Sequence, residues 1–110
     1  MMRTTLRLFA AAALLAVGTA HAANLDAGKQ KAQEVCQACH GMDGLSATNA
    51  EYPKIGGQHR DYLAKALRDY KSGMRKNPIM GAMAQPLTAQ DIDNMAAYYA
   101  SQPGPLKSLY

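Results

Sequence analysis

Apolar positions recur with a helical period in two stretches of this chain, a third stretch reads as helix from its cap, and no run alternates with period two over strand length. The clearest stretch places Tyr62, Leu63, Ala66, Leu67 and Tyr70 at i, i+1, i+4, i+5 and i+8, one face of a helix. Arg60, Lys65, Arg68, Asp69 and Lys71 decorate its other side, and Ser72-Gly73 ends it with glycine as the expected C-cap. A second stretch sets Ile92, Met95, Ala96 and Tyr99 on one face. It stands behind Thr88-Ala89-Gln90-Asp91, a capping box with Asp in place of Glu, and stops at Gln102-Pro103. The third begins at Asp26, the expected N-cap, and runs through Val35 into a turn holding Cys36, Cys39 and His40, which Gly41 closes. Gly28 inside it costs about 1 kcal/mol against alanine, which predicts that another helix approaches closely there. The pattern predicts an all-α domain.

Between these stretches the chain reads as loop. Met42 to Glu51 holds the turn formers Asp43-Gly44 and Asn49, and Tyr52-Pro53 continues it in extended form. Gly56-Gly57 permits a close turn. Met74 to Pro86 predicts no helix of useful length, because Asn77-Pro78 and Gly81 break it. A loop this long in a small domain should have a task, and this one carries Met74, Met80 and Met83. The tail from Gly104 to Tyr110 is expected to be loose.

The first 22 residues do not belong to this pattern. Arg3 and Arg7 form a basic start, Leu8 to Val17 is a short apolar run, and Ala20-His21-Ala22 is an A-x-A cleavage signal. Ten apolar residues fall short of the about 20 that span a bilayer. Residues 1–22 therefore read as a cleaved signal peptide and residues 23–110 as one domain of 88 residues. An exported product, with no membrane span after cleavage, in a bacterial periplasm, is the expectation.

Charge excludes one class of partner. The leader removes two arginines, leaving 10 Lys and Arg against 8 Asp and Glu, far from the basic balance of a nucleic-acid binder. Lys54, Arg60, Lys65, Arg68, Lys71, Arg75 and Lys76 against Asp61 and Asp69 form a local excess of +5, which reads either as a docking patch or as the solvated face of a helix. Composition raises a stability problem. Beyond residue 22 there is no Trp or Phe, and a domain this small buries only about 60% of its unfolded surface. A large apolar group held in the core would supply what the side chains lack, and without it the chain is expected to fold poorly.

Cys36-Gln37-Ala38-Cys39-His40 carries the chemistry. In a helical turn Cys36, Cys39 and His40 stand at i, i+3 and i+4, so all three project to one side. Two thiols then add across the two vinyl groups on one porphyrin edge, and the imidazole reaches the iron. Cys-x-x-Cys-His is read as a covalent haem site. A disulfide between such near neighbours closes too small a loop to stabilise much. A structural zinc wants about four ligands, and Cys36, Cys39, His40 and His59 are the only cysteines and histidines beyond the leader. A thioredoxin-like pair normally accompanies a βαβ pattern, which is absent from the sequence. One haem c is the expected cofactor.

Iron bound by His40 has a sixth position to fill. Methionine, His59, water and a lysine are candidates, and methionine is soft enough to favour ferrous iron. Met42 is too near His40 to reach the far face, Met95 sits on the apolar face of the last helix, and His59 opens a basic helix where it is solvated. At least one of Met74 and Met83 is expected to fill a gap in the core. Met80 follows Asn77-Pro78, which anchors the loop, and precedes Gly81, which lets the backbone pass close to a porphyrin. Met83 is the alternative ligand, expected otherwise to pack beneath the final helix.

With these residues in view, the chain resembles the class I c-type cytochromes, most closely a single domain of the cytochrome c4 type or a monohaem cytochrome c-553. The resemblance rests on Gly28-Lys29, Cys36 to His40, Pro53 to Gln58, Tyr62-Leu63, Pro78 to Ala84, Leu87-Thr88 and Met95 to Tyr99. It implies a fold in which the N- and C-terminal helices cross, Gly28 and Ala32 against Met95 and Tyr98, around a haem wrapped by helices and a methionine loop. It implies that Pro53 lends its carbonyl to His40, that Ile55 and Tyr62 line the haem pocket, and that Met80, first methionine of Met-x-x-Met, binds iron. The cytochrome c4 pattern carries two haem motifs and this sequence one. The implied function is one-electron carriage between redox partner proteins, with no catalytic residue. Service as the haem subunit of a larger dehydrogenase is the alternative, and a haem enzyme or gas sensor with a labile methionine is a more distant one.

Overall fold

The computed structural model describes residues 22–106 together with residue 12. The expected leader therefore lies outside the described residues but for those at 12 and 22, as do the last four residues of the tail. Among the described residues five helices follow in order: α1 Leu25–Val35, α2 Gln37–His40, α3 Arg60–Ser72, α4 Pro78–Ala84 and α5 Ala89–Ser101. No strand occurs among the described residues, as the periodicity predicts.

Local chemistry explains each boundary. Asn24, not Asp26, caps α1: its side chain accepts a hydrogen bond from the Ala27 N–H, while Asp26 sits in the first turn, where its charge suits the helix end. The helix does not run on smoothly into the cysteines. Cys36 has φ −101° and interrupts it, and α2 resumes at Gln37. Gly73 ends α3 with φ 83°, the left-handed conformation expected of it. Thr88 and Asp91 form the full capping box of α5, each side chain accepting from the other residue's N–H at 3.0 Å.

Helix α4 departs from the sequence expectation. Asn77-Pro78 starts a helix rather than breaking one. The Asn77 side chain accepts from the N–H groups of Ile79 and Met80, both at 3.0 Å, and Pro78 occupies the first turn, where a missing N–H costs nothing. The methionine segment is thus an ordered seven-residue helix between two loops.

Helices α1 and α5 pack at a crossing built on Gly28. A Cβ there would lie 2.1 Å from the Asn94 carbonyl oxygen and 3.0 Å from Tyr98 Cβ, so only glycine permits the approach. Ala32 is fully buried at the same contact. The buried Asn94 fastens the crossing: its Oδ1 accepts from the Asn24 N–H at 2.9 Å and from Gln90 Nε2 at 2.8 Å. Helix α3 lies against α5 and carries α4. The core between them is made mostly of small or medium side chains: Ala32, Leu63, Ala64, Ala84, Leu87 and Ala96, with Ile92, Met95, Tyr98 and Tyr99 from α5. Gly104, expected in a loose tail, is packed instead: a Cβ there would lie 2.8 Å from the Gly56 carbonyl oxygen and 3.1 Å from Leu45 Cδ1. No helix among the described residues is long and apolar enough to cross a membrane.

Candidate functional site

Two adjoining cavities, of about 200 and 300 Å³, open between the α1–α2 segment, α3 and α4. Cys36, His40, Pro53, Tyr70 and Met80 line both. The smaller continues over Ile55, Leu63, Leu67 and the face of α5 at Met95 and Tyr99, and the larger over Val35, Cys39, Ile79 and Met83. The break at Cys36 and the short α2 thus bring both sulfurs and the imidazole to one cleft. Both thiols are free and half-buried. Cys36 Sγ lies 3.7 Å from Met95 Sδ in the core, and burial pushes its thiol up to about 11.

His40 is only 8% exposed, and its Nδ1 lies 2.9 Å from the Pro53 carbonyl oxygen. That oxygen can only accept, so Nδ1 carries the proton and donates, leaving Nε2 as the ring nitrogen with a free lone pair. A fixed tautomer with one nitrogen committed to a carbonyl is how a ligating histidine is oriented. The carbonyl is itself held in place. Ile55 and Gly56 N–H groups donate to the Gly44 carbonyl at 2.8 and 3.0 Å, and Gly57 N–H donates to the Tyr99 carbonyl at 2.9 Å. The loop after His40 is pinned by α5, where the Tyr98 hydroxyl donates to the Met42 carbonyl at 2.8 Å and the Tyr99 hydroxyl to the Gly41 carbonyl at 3.1 Å. Burial raises both phenols above their ordinary range. These two hydroxyl ties, between residues far apart in the chain, were not visible in the helical pattern, which marks Tyr99 only as apolar.

Among the methionines of the described residues, Met80 alone lines both cavities. Met83 lines only the larger and is 43% exposed at its rim, so it does not pack beneath the final helix as expected. Met74 is 81% exposed, so neither it nor Met83 fills the core. Met95 does. His59 is exposed at the start of α3 and lines neither cavity. Ile55 is half-buried in the smaller cavity wall. Tyr62 stands there too, more exposed, with its hydroxyl 3.5 Å from the Arg75 guanidinium, which lies 4.7 Å over the Tyr70 ring.

The basic stretch is largely engaged. Lys65 pairs with Asp69 at 2.5 Å, Arg68 reaches Asp93 of α5 at 3.8 Å, Arg75 stacks on Tyr70, and Lys71 turns toward the end of α4.

The residues present fit a covalently held, planar, metal-bearing macrocycle: two free thiols and an imidazole with one open nitrogen share a mostly apolar cleft with a thioether. Comparison with known proteins agrees. A family model described as cytochrome c matches residues 25–102. The chain is 49% identical over 77 residues to cytochrome c4 of Thiocapsa roseopersicina, which covers 70% of this chain and 39% of that protein. It is 33% identical over 105 residues to the cytochrome subunit of sulfide dehydrogenase of Chlorobaculum tepidum, covering 86% and 94%. The crystal structure of reduced recombinant cytochrome c4 from Pseudomonas stutzeri superposes with a TM-score of 0.68 at 40% identity, over 76% of this chain and 47% of that one. The chain thus spans about half or less of the length of the cytochrome c4 proteins it matches.

Proposed function

The chain belongs to the cytochrome c family, with the class I fold of cytochrome c4, and from that premise we propose that it is a periplasmic one-electron carrier holding a single haem c. Cys36 and Cys39 would hold the haem through thioethers, and His40 Nε2 and Met80 Sδ would bind its iron. One observation carries this reading: Cys36, His40 and Met80 line one shared cleft, with His40 already oriented by Pro53.

When bound, the haem supplies reversible one-electron chemistry at iron, and the chain's own residues set its conditions. Pro53 keeps Nδ1 protonated and so presents Nε2. The Met80 thioether would favour the ferrous state and raise the potential relative to a second imidazole. Leu63, Leu67, Ile55 and Met95 give the smaller cavity an apolar wall that would shield the haem from water. Lys54, Gln58, Tyr62 and Arg75 are among the polar groups of that wall and suit the two carboxylates of the porphyrin. Residues 1–22 act as the export leader, consistent with a compartment in which such attachment takes place.

Denaturing mass spectrometry tests attachment: the chain beginning at Ala23 is expected to exceed its polypeptide mass by one haem, and complete removal of haem by acid-acetone would refute the assignment. Carbon monoxide should bind the reduced protein poorly, whereas ready binding would indicate an open or labile sixth position and a sensor or enzyme. A second reading, permanent membership of a dehydrogenase complex, is favoured by the likeness to a sulfide dehydrogenase cytochrome subunit along nearly that protein's whole length. Size-exclusion of the native extract separates it from a free carrier.

A further inference from the structure

We propose that Lys71 and Gln85 form a strap that sets how readily Met80 leaves the sixth position, an inference resting on Met80 as the axial ligand. Lys71 stands in the last turn of α3, half-buried. Its Nζ donates to the Gln85 carbonyl at 2.9 Å and also to the Leu87 carbonyl. In return Gln85 Nε2 donates to the Lys71 carbonyl at 2.7 Å. The ends of α3 and α4 are therefore tied in both directions.

The tie matters because α4 cannot hold itself. Seven residues are too few for a stable isolated helix, and its last turn contains no basic side chain to satisfy its terminal carbonyls. Lys71 supplies that charge from the neighbouring helix, with bonds strengthened by the ammonium. At the other end Asn77 caps the first turn. Met80 sits between the two fastened ends, and Ala84 and Leu87, both buried, are the apolar footing beneath the strapped one. Withdrawing Met80 from the cleft requires α4 to lift, and lifting its C-terminal end breaks the strap.

Lys71 and Gln85 are positioning residues, so the test reads the sixth position and the helix separately in the ferric holoprotein. In Lys71→Leu, amide exchange at Gly81, Gln85 and Leu87 should accelerate about tenfold relative to α1 and α5, and imidazole should displace methionine at about tenfold lower concentration, the scale expected for losing charged hydrogen bonds. Displacement is followed by loss of the sulfur-to-iron band. Lys71→Arg, which keeps a cationic donor, should stay near wild type. Should Lys71→Leu fail to accumulate with haem, Gln85→Ala loses one uncharged bond and should move both readouts the same way by about threefold. Unchanged imidazole affinity in the variants that accumulate, or unchanged exchange in α4, overturns the strap. Absence of the sulfur-to-iron band in the wild type would instead overturn the Met80 assignment itself.

Discussion

Replacing Gly28 by alanine adds one methyl group at the place where α1 and α5 come closest, and the outcome follows from geometry. The new Cβ would stand 2.1 Å from the Asn94 carbonyl oxygen and 2.7 Å from its carbonyl carbon, where ordinary contact begins at 3.4 Å. Those are backbone atoms, so no rotamer change relieves the clash and α5 must move by more than an ångström. Movement also strains the bonds that Asn94 makes to Asn24 and Gln90. Overpacking of this kind costs typically about 1–3 kcal/mol, and a backbone clash belongs at the upper end. Alanine's helix propensity returns about 1 kcal/mol. The net loss is about 2 kcal/mol, which for a domain of this size lowers Tm by about 8–16 °C. Far-ultraviolet circular dichroism melts of the ferric holoprotein measure it. Gly73→Ala is the control, since its Cβ would meet nothing within 4 Å and only the φ of 83° resists it. A Gly28→Ala protein that melts at or above the wild-type temperature would show propensity prevailing over the clash, and the reading of this crossing would be wrong.

Three further outcomes are expected. Met80→Ala should abolish the weak red sulfur-to-ferric-iron band and lower the reduction potential, while Met83→Ala, at an exposed rim, should leave both nearly unchanged; the reverse pattern in absorption spectra and redox titration would transfer the ligand role. Burial holds the Tyr98 and Tyr99 phenols above their unfolded range, so their contribution to stability is fully present below about pH 10 and is lost as pH rises above it. Denaturant titrations of Tyr98→Phe/Tyr99→Phe should show lower stability at pH 7 but a shallower decline beyond pH 10, and an unaltered decline would refute the linkage. In the haem-free chain, alkylation of Cys36 should follow an ordinary thiol midpoint near about 8.5, not the value of about 11 that the closed structure imposes, because the chain without haem is not expected to close. A midpoint near the higher value would show that the apoprotein folds.

What the sequence disclosed and what it hid divide along the range of the interactions. Helices α3 and α5 were legible because their apolar faces and caps are local, and so was the haem motif, whose three residues need only one turn of helix. Helix α4 was misread because proline was weighed as a breaker, whereas after an asparagine able to accept from Ile79 and Met80 it is a starter. The N-cap at Asn24 was missed for a similar reason, Asp26 being the more conspicuous charge. Neither the strap of Lys71 to the end of α4 nor the hydroxyl ties of Tyr98 and Tyr99 to the loop after His40 has a local signature. Each depends on which helices pack together, and only the tertiary structure brings such partners into reach.

The composition of the core links stability to the proposed function. Ile92 and Met95 are the only large side chains among the described residues that are fully buried. Ile55, Leu67 and Tyr70 are only partly buried, and each contributes to a cavity wall. The α1–α5 crossing is built on the small residues Gly28 and Ala32, and Met95 and Tyr99 of the same α5 belong to the apolar wall of the cleft. A porphyrin in that cleft would be the missing layer of the core as well as the redox centre. The residues that would grip it, Cys36, His40 and Met80, are accordingly set between the helices that need it for packing. Weakening that grip should therefore loosen the fold and change the potential together.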